Sequence, residues 1–159
     1  MYQYRITKYN PSRRDVGGAY PVDEWTSRSD IGKSFGGVSL TENDYLRTEQ
    51  AYLEAAVAFL KEAKVEELTV IGLENHSKVH TAPKDGGRIK AEDVPEVVRS
   101  LLREEFWCRL EAQGAFIHVG YDYYMYIGVP IESTDAAAAA QANGLFVEAF
   151  KSPYAQGAA

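Results

Sequence analysis

From Phe106 to Pro130 the chain reads FWCRLEAQGAFIHVGYDYYMYIGVP, and no other stretch restricts the fold so much. The side chains alternate with period two through FWCRLEA, AFIHVGY and YYMYIGV, the signature of half-buried strands, and the turn QG joins the first two runs. Paired as an antiparallel meander, these runs place Cys108, Leu110, Ile117, Val119, Met125 and Ile127 on one apolar face. Trp107, Arg109, Glu111, Phe116, His118, Tyr124 and Tyr126 fall on the other, with Arg5 and Thr7 beside them. A slip of one residue would exchange the two faces.

The remaining segments build around this sheet. YQYRITKY alternates as a first strand, and residues 10–37 form a long loop rich in Gly, Pro, Ser and Asp, in which EWTS reads as a short strand and SDIGKSF as a helical turn. A connection that long in a small domain is often functional. Thr41 is placed as the N-cap of a helix reaching about Lys64, with Leu40 and Tyr45 as a hydrophobic staple and Glu42 and Asp44 near the positive end of the dipole. ELTVIGL is a strand, ENHSKVHTAPKDGGRIK a polar loop, and Val94-Pro95 opens a second helix. STDAAAAAQANGLFVEAFKS reads as a closing helix interrupted by Gly144. The expected architecture is a single α+β domain over 1–159, a mostly antiparallel sheet of about five strands with about three helices on one face, and frayed residues 155–159.

At 159 residues the chain can bury a core without disulfides or metals. Its one cysteine, Cys108, has no internal partner, its N-terminus lacks a signal-peptide pattern, and no apolar run nears the roughly 18 residues of a membrane span. A cytoplasmic location is therefore expected, with no membrane partner. The net charge of −6 disfavours nucleic acid and favours a basic protein partner.

The tyrosine-rich face is the candidate binding surface. Aromatic rings and arginine give large contact area at low entropic cost, which singles out Trp107, Arg109, His118, Tyr124 and Tyr126, with Glu24, Trp25 and Arg28 of the Asp23–Asp30 loop at the rim. Either this face is wet and docks a partner, or a second layer covers it and makes it core. Homodimerisation through it is a third reading.

Catalytic signals are incomplete. GKS at Gly32–Ser34 lacks the earlier glycine of a phosphate loop, and His76 and His80 lack a third metal ligand, so neither a metal nor a cofactor is expected. Cys108 and His118 fall on opposite faces, so the thiol is expected to be buried and inert. Glu49, inside the apolar stripe of the first helix, is either a buried acid or the partner of a structural arginine. The enzymatic alternative is a hydrolase acting on a nucleotide or another small ligand through Glu24, Arg28, His118 and tyrosine hydroxyls; the same loop residues also suit plain turn chemistry.

The blocks YRITKYNP, EWTSRSDIG, LREEFWCRLE and HVGYDYYMYIG, spread from Tyr4 to Gly128, resemble a family of small, largely uncharacterised bacterial proteins. The resemblance implies a bacterial cytoplasmic protein and carries over no activity, cofactor or catalytic residue. By analogy, small acidic proteins of this kind without catalytic motifs include immunity proteins that block a toxin. A non-enzymatic binding module is the expectation that follows.

Overall fold

The computed structural model describes residues 1–155. Strand β1 (Tyr2–Thr7) is followed by an irregular segment with two 3-10 turns, Pro11–Arg13 and Arg28–Asp30, and by a small hairpin, β2 (Ser34–Phe35) with β3 (Val38–Ser39). Helix α1 (Glu42–Glu62) leads into β4 (Glu67–Glu74) and β5 (Arg88–Lys90), then α2 (Val94–Leu102). The meander follows as β6 (Trp107–Ala112), β7 (Ala115–Val119) and β8 (Met125–Val129), and α3 (Thr134–Ala142) precedes β9 (Phe146–Ala149). The main sheet has the order β5-β4-β6-β7-β8-β1-β9 and is antiparallel throughout.

The α+β class, the single compact domain and the one-sided helical layer stand as expected. The strand count does not: among the described residues the main sheet has seven strands, with β2 and β3 apart from it. β5 lies in what reads as a polar loop, and β9 in what reads as the end of the closing helix. EWTS is not a strand, and SDIGKSF divides between a 3-10 turn and β2. The expected fraying of 155–159 falls, beyond Ala155, outside the described residues.

Each helix is explained by its ends. Thr41 caps α1, its hydroxyl accepting the N–H of Asp44, and Glu42 and Asp44 sit in the first turn where the dipole favours them. At the start of α3 Ser133 makes no side-chain cap; instead the Glu62 carboxylate at the end of α1 accepts the N–H groups of Asp135 and Ala136. All three helices end in the same hydrogen-bond pattern, with a left-handed residue at Lys64, Glu104 or Gly144 and the next N–H reaching back five residues.

The core lies between the sheet and α1, which buries Tyr45, Tyr52, Leu53, Ala56, Phe59 and Leu60 against Ile6, Leu110, Ile117, Met125 and Ile127. Leu46 and Val57 on the same helix are exposed. Glu49 takes a central place in it at 3% exposure. Arg103 grips it with Nε and Nη2 at 2.8 Å each, Arg99 stands at 3.3 Å, and the Tyr45 hydroxyl donates to it at 2.6 Å. Burial works against the charge, but these donors outweigh it and hold the carboxyl below its ordinary range. Glu49 is thus the partner of structural arginines.

Candidate binding site at the loop end of the sheet

The alternation in the meander is realised in the structure. Arg109 pairs with His118 and His118 with Tyr126 across the sheet, while Leu110, Ile117 and Ile127 form the matching row on the helical side. Cys108 is fully buried among the helices, opposite to His118, and burial pushes its thiol up to about 12. The four tyrosines diverge, however. Positive φ at Asp122 and Tyr123 turns Tyr123 into the core, where it contacts Trp25 and the hydroxyl of Tyr45, while Tyr124 and Tyr126 point to the far face and Tyr121 projects into solvent.

The far face is not the open docking surface expected from its composition. Residues 150–155 cross it as a strap, beneath which His118 is 1% exposed and Tyr126 7%; Arg109 on the same face is 9% exposed. Alternate side chains of the strap enter the face, as in a strand. Phe150 receives the Arg5 guanidinium 3.8 Å from its ring centre, Ser152 reaches His118, and Tyr154 packs on Trp107, His118 and Tyr126. The Ser152 Oγ lies 2.7 Å from His118 Nδ1, and His118 Nε2 lies 3.0 Å from Glu111, which also accepts Arg109 at 2.8 Å. A serine, a histidine and a glutamate in sequence suggest a hydrolytic relay. Ser152 is 2% exposed and its oxygen already accepts the Tyr154 N–H, so the group serves as an anchor.

The rim residues also take structural places. Glu24 accepts Lys8 at 2.8 Å and the Tyr20 hydroxyl at 2.9 Å, and the Lys8 ammonium rests over the Tyr9 and Trp25 rings. Trp25 is buried against Tyr45 and Tyr123 and anchors its loop from the helical side. Asp30 accepts the Thr26 N–H and Lys33, and Ser27 caps the following turn, which is turn chemistry. Arg28 is exposed and makes no side-chain hydrogen bond or ion pair among the described residues. Glu24 and Arg28 are therefore not joined to His118, whose polar partners are Glu111 and Ser152.

One member of the predicted set, Trp107, opens onto a real concavity. A cleft of about 330 Å³ lies where three loops meet, the turn after α2, the end of β4 with its following loop, and the β7–β8 connection. Its floor is Leu101, Phe106 and Trp107, and its walls include Glu74, His76, Glu104, Glu105 and Tyr121. The Trp107 ring is fixed by its Nε1–H, which donates to the Val119 carbonyl at 2.9 Å. Glu74, Glu104 and Glu105 are all exposed, and none makes a side-chain hydrogen bond or ion pair among the described residues. Among the described residues no lysine or arginine lines the cleft. Lys78, Glu104, Asp122 and Tyr123, four of the five non-glycine residues with positive φ among the described residues, lie in the same three loops.

Trp107 was legible in the sequence but the cleft was not, because Glu74 and Tyr121 come from segments distant from the Glu104–Trp107 run. The available signal was Tyr121 in the GYDYYMY connection, which the structure leaves 75% exposed. No protein-family model, curated protein or solved structure matches the chain. Among the described residues no helix is long and apolar enough to cross a membrane.

Proposed function

We propose that the protein is a non-enzymatic binding module that captures a basic segment of a partner protein at the loop-end cleft, and that it is a bacterial immunity protein occluding a toxin. The observation that carries the reading is the cleft's composition: three carboxylates without partners among the described residues surround an apolar floor of Leu101, Phe106 and Trp107, with Tyr121 at the edge. A guanidinium fits these walls, since it bonds carboxylates through its planar fork and stacks on aromatic rings. The net charge of −6 speeds encounter with such a partner. The hydrolase reading receives no comparable support, because Glu24, Arg28 and His118 are engaged apart from one another or not at all.

Titration of the protein with a short arginine-containing peptide, followed by backbone amide shifts, tests this proposal. Shifts confined to residues 74–77, 104–107 and 120–121, weakened by salt and by the double substitution Glu104→Gln with Glu105→Gln, are expected. Shifts elsewhere, or equal response to an acidic peptide of the same length, would overturn it.

A further inference from the structure

The strap over the far face ends against the same tryptophan that floors the cleft. Tyr154 packs on Trp107 with ring centres 5.7 Å apart, and it rests on Gly120, where a Cβ would stand 2.8 Å from its hydroxyl. The strap is held by few groups. Its backbone takes one bond from the sheet, Phe150 N–H to the Gln3 carbonyl, and Ser152 N–H donates to the Gln3 side chain. Lys151 and Pro153 face solvent. Beside these backbone bonds, the strap's side-chain anchor is the Ser152 hydroxyl on His118, and it depends on the histidine's proton.

Glu111 accepts at Nε2, which assigns the ring proton to that nitrogen and leaves Nδ1 as the acceptor of the Ser152 hydroxyl. A second proton at Nδ1 turns the acceptor into a donor. Ser152 Oγ then receives both Nδ1–H and the Tyr154 N–H, and its own hydrogen is left buried without a partner.

We infer that residues 150–155 form a proton-sensitive latch, closed on neutral His118 and loosened when His118 is protonated, so that acidification frees the aromatic face and the Trp107 wall. The charged and titratable groups around the ring bear on the direction. Glu111 favours the imidazolium and Arg109 opposes it, both from β6; Tyr126 from β8 and Tyr154 from the strap are neutral phenols; and Arg5 beyond Tyr126 is neutralised by Glu148 on β9. Burial beneath the strap pulls the His118 pKa below its ordinary 6.5, against Glu111 and with Arg109. An opened strap restores water to the ring, so the open state binds the proton more tightly than the closed one. The latch is accordingly strongest above about pH 6.5 and weakens as pH falls below it.

Amide hydrogen exchange of Tyr154 and Ala155, corrected for the intrinsic effect of pH, reads the latch directly on the full chain. Protection is expected to fall several-fold between pH 7.5 and pH 5, while core amides such as Ile117 stay protected. In His118→Gln the strap's protection should not vary with pH. In Ser152→Ala protection at pH 7.5 should already be low, and the His118 resonance should titrate nearer its ordinary value. An equal fall in His118→Gln, or strap protection that stays constant while His118 titrates, would overturn the latch. Its influence on the cleft rests on the binding reading above and is read separately, as a change in arginine-peptide affinity with pH. Loss of that binding would leave the exchange result standing.

Discussion

The ring of Phe116 occupies the space that a side chain at Gly128 would fill. The two residues face each other across β7 and β8, and a Cβ built on Gly128 would overlap three carbons of the ring. The same ring stacks on His118 with centres 4.1 Å apart and planes 9° from parallel. Gly128→Ala should therefore displace Phe116 and disturb the anchor of the strap, at a cost of about 1–3 kcal/mol. Urea denaturation measures the loss, and an unchanged midpoint would show that the ring can move aside freely.

Glu49 should be worth more to stability at neutral pH than in acid. Glu49→Gln leaves Arg103 and Arg99 without their carboxylate; because both reach water in part, the expected loss is about 2–3 kcal/mol, below the full cost of a stranded buried charge. The folded protein holds this carboxyl below its ordinary 4.5, so the contribution is complete above that pH and is lost as pH falls through the lower, folded value. Denaturation curves of the two proteins should converge on acidification.

Cys108 should be silent to thiol reagents until the chain unfolds. It is fully buried with a pKa of about 12, so almost no thiolate exists at neutral pH and none is accessible. Reaction with a disulfide reagent should be complete in denaturant and negligible without it. Rapid labelling of the native protein would mean that the sheet parts from the helices more easily than this packing implies.

Glu104 sits at φ 59°, the position after α2 that glycine fills at least cost. Glu104→Gly should raise stability by roughly 0.5–1 kcal/mol through relief of the left-handed backbone, yet weaken binding of a basic peptide. Thermal denaturation and peptide titration on the same sample separate the two effects. A gain in stability with unchanged binding would assign the residue to the helix end alone.

The faces of the meander were legible because period two leaves no freedom once one face is dry: Cys108, Leu110 and Ile117 forced Trp107, Arg109 and His118 to the other side. Which of the two readings of that second side holds, wet or covered, was not legible. It depends on Phe150, Ser152 and Tyr154, which alternate beyond an alanine run whose helix propensity hid β9. Gly144, read as an interruption, is the left-handed end of α3. Tyr123 departed from the alternation because local backbone at Asp122 and Tyr123, invisible to a pattern of side-chain types, reversed its direction. The cleft was hidden for a different reason: Glu104 and Glu105 read as ordinary solvated charges beside Trp107 until the topology brings Glu74 and Tyr121 to the same place.

The place of β1 in the sheet has a consequence for folding. Tyr4 pairs with Ile127 on one side and Ala149 on the other, so β1 is enclosed by β8 and β9, two strands far along the chain from it. Closing such long loops is entropically costly and slow. Until both neighbours dock, β1 stands as an unpaired, tyrosine-bearing edge.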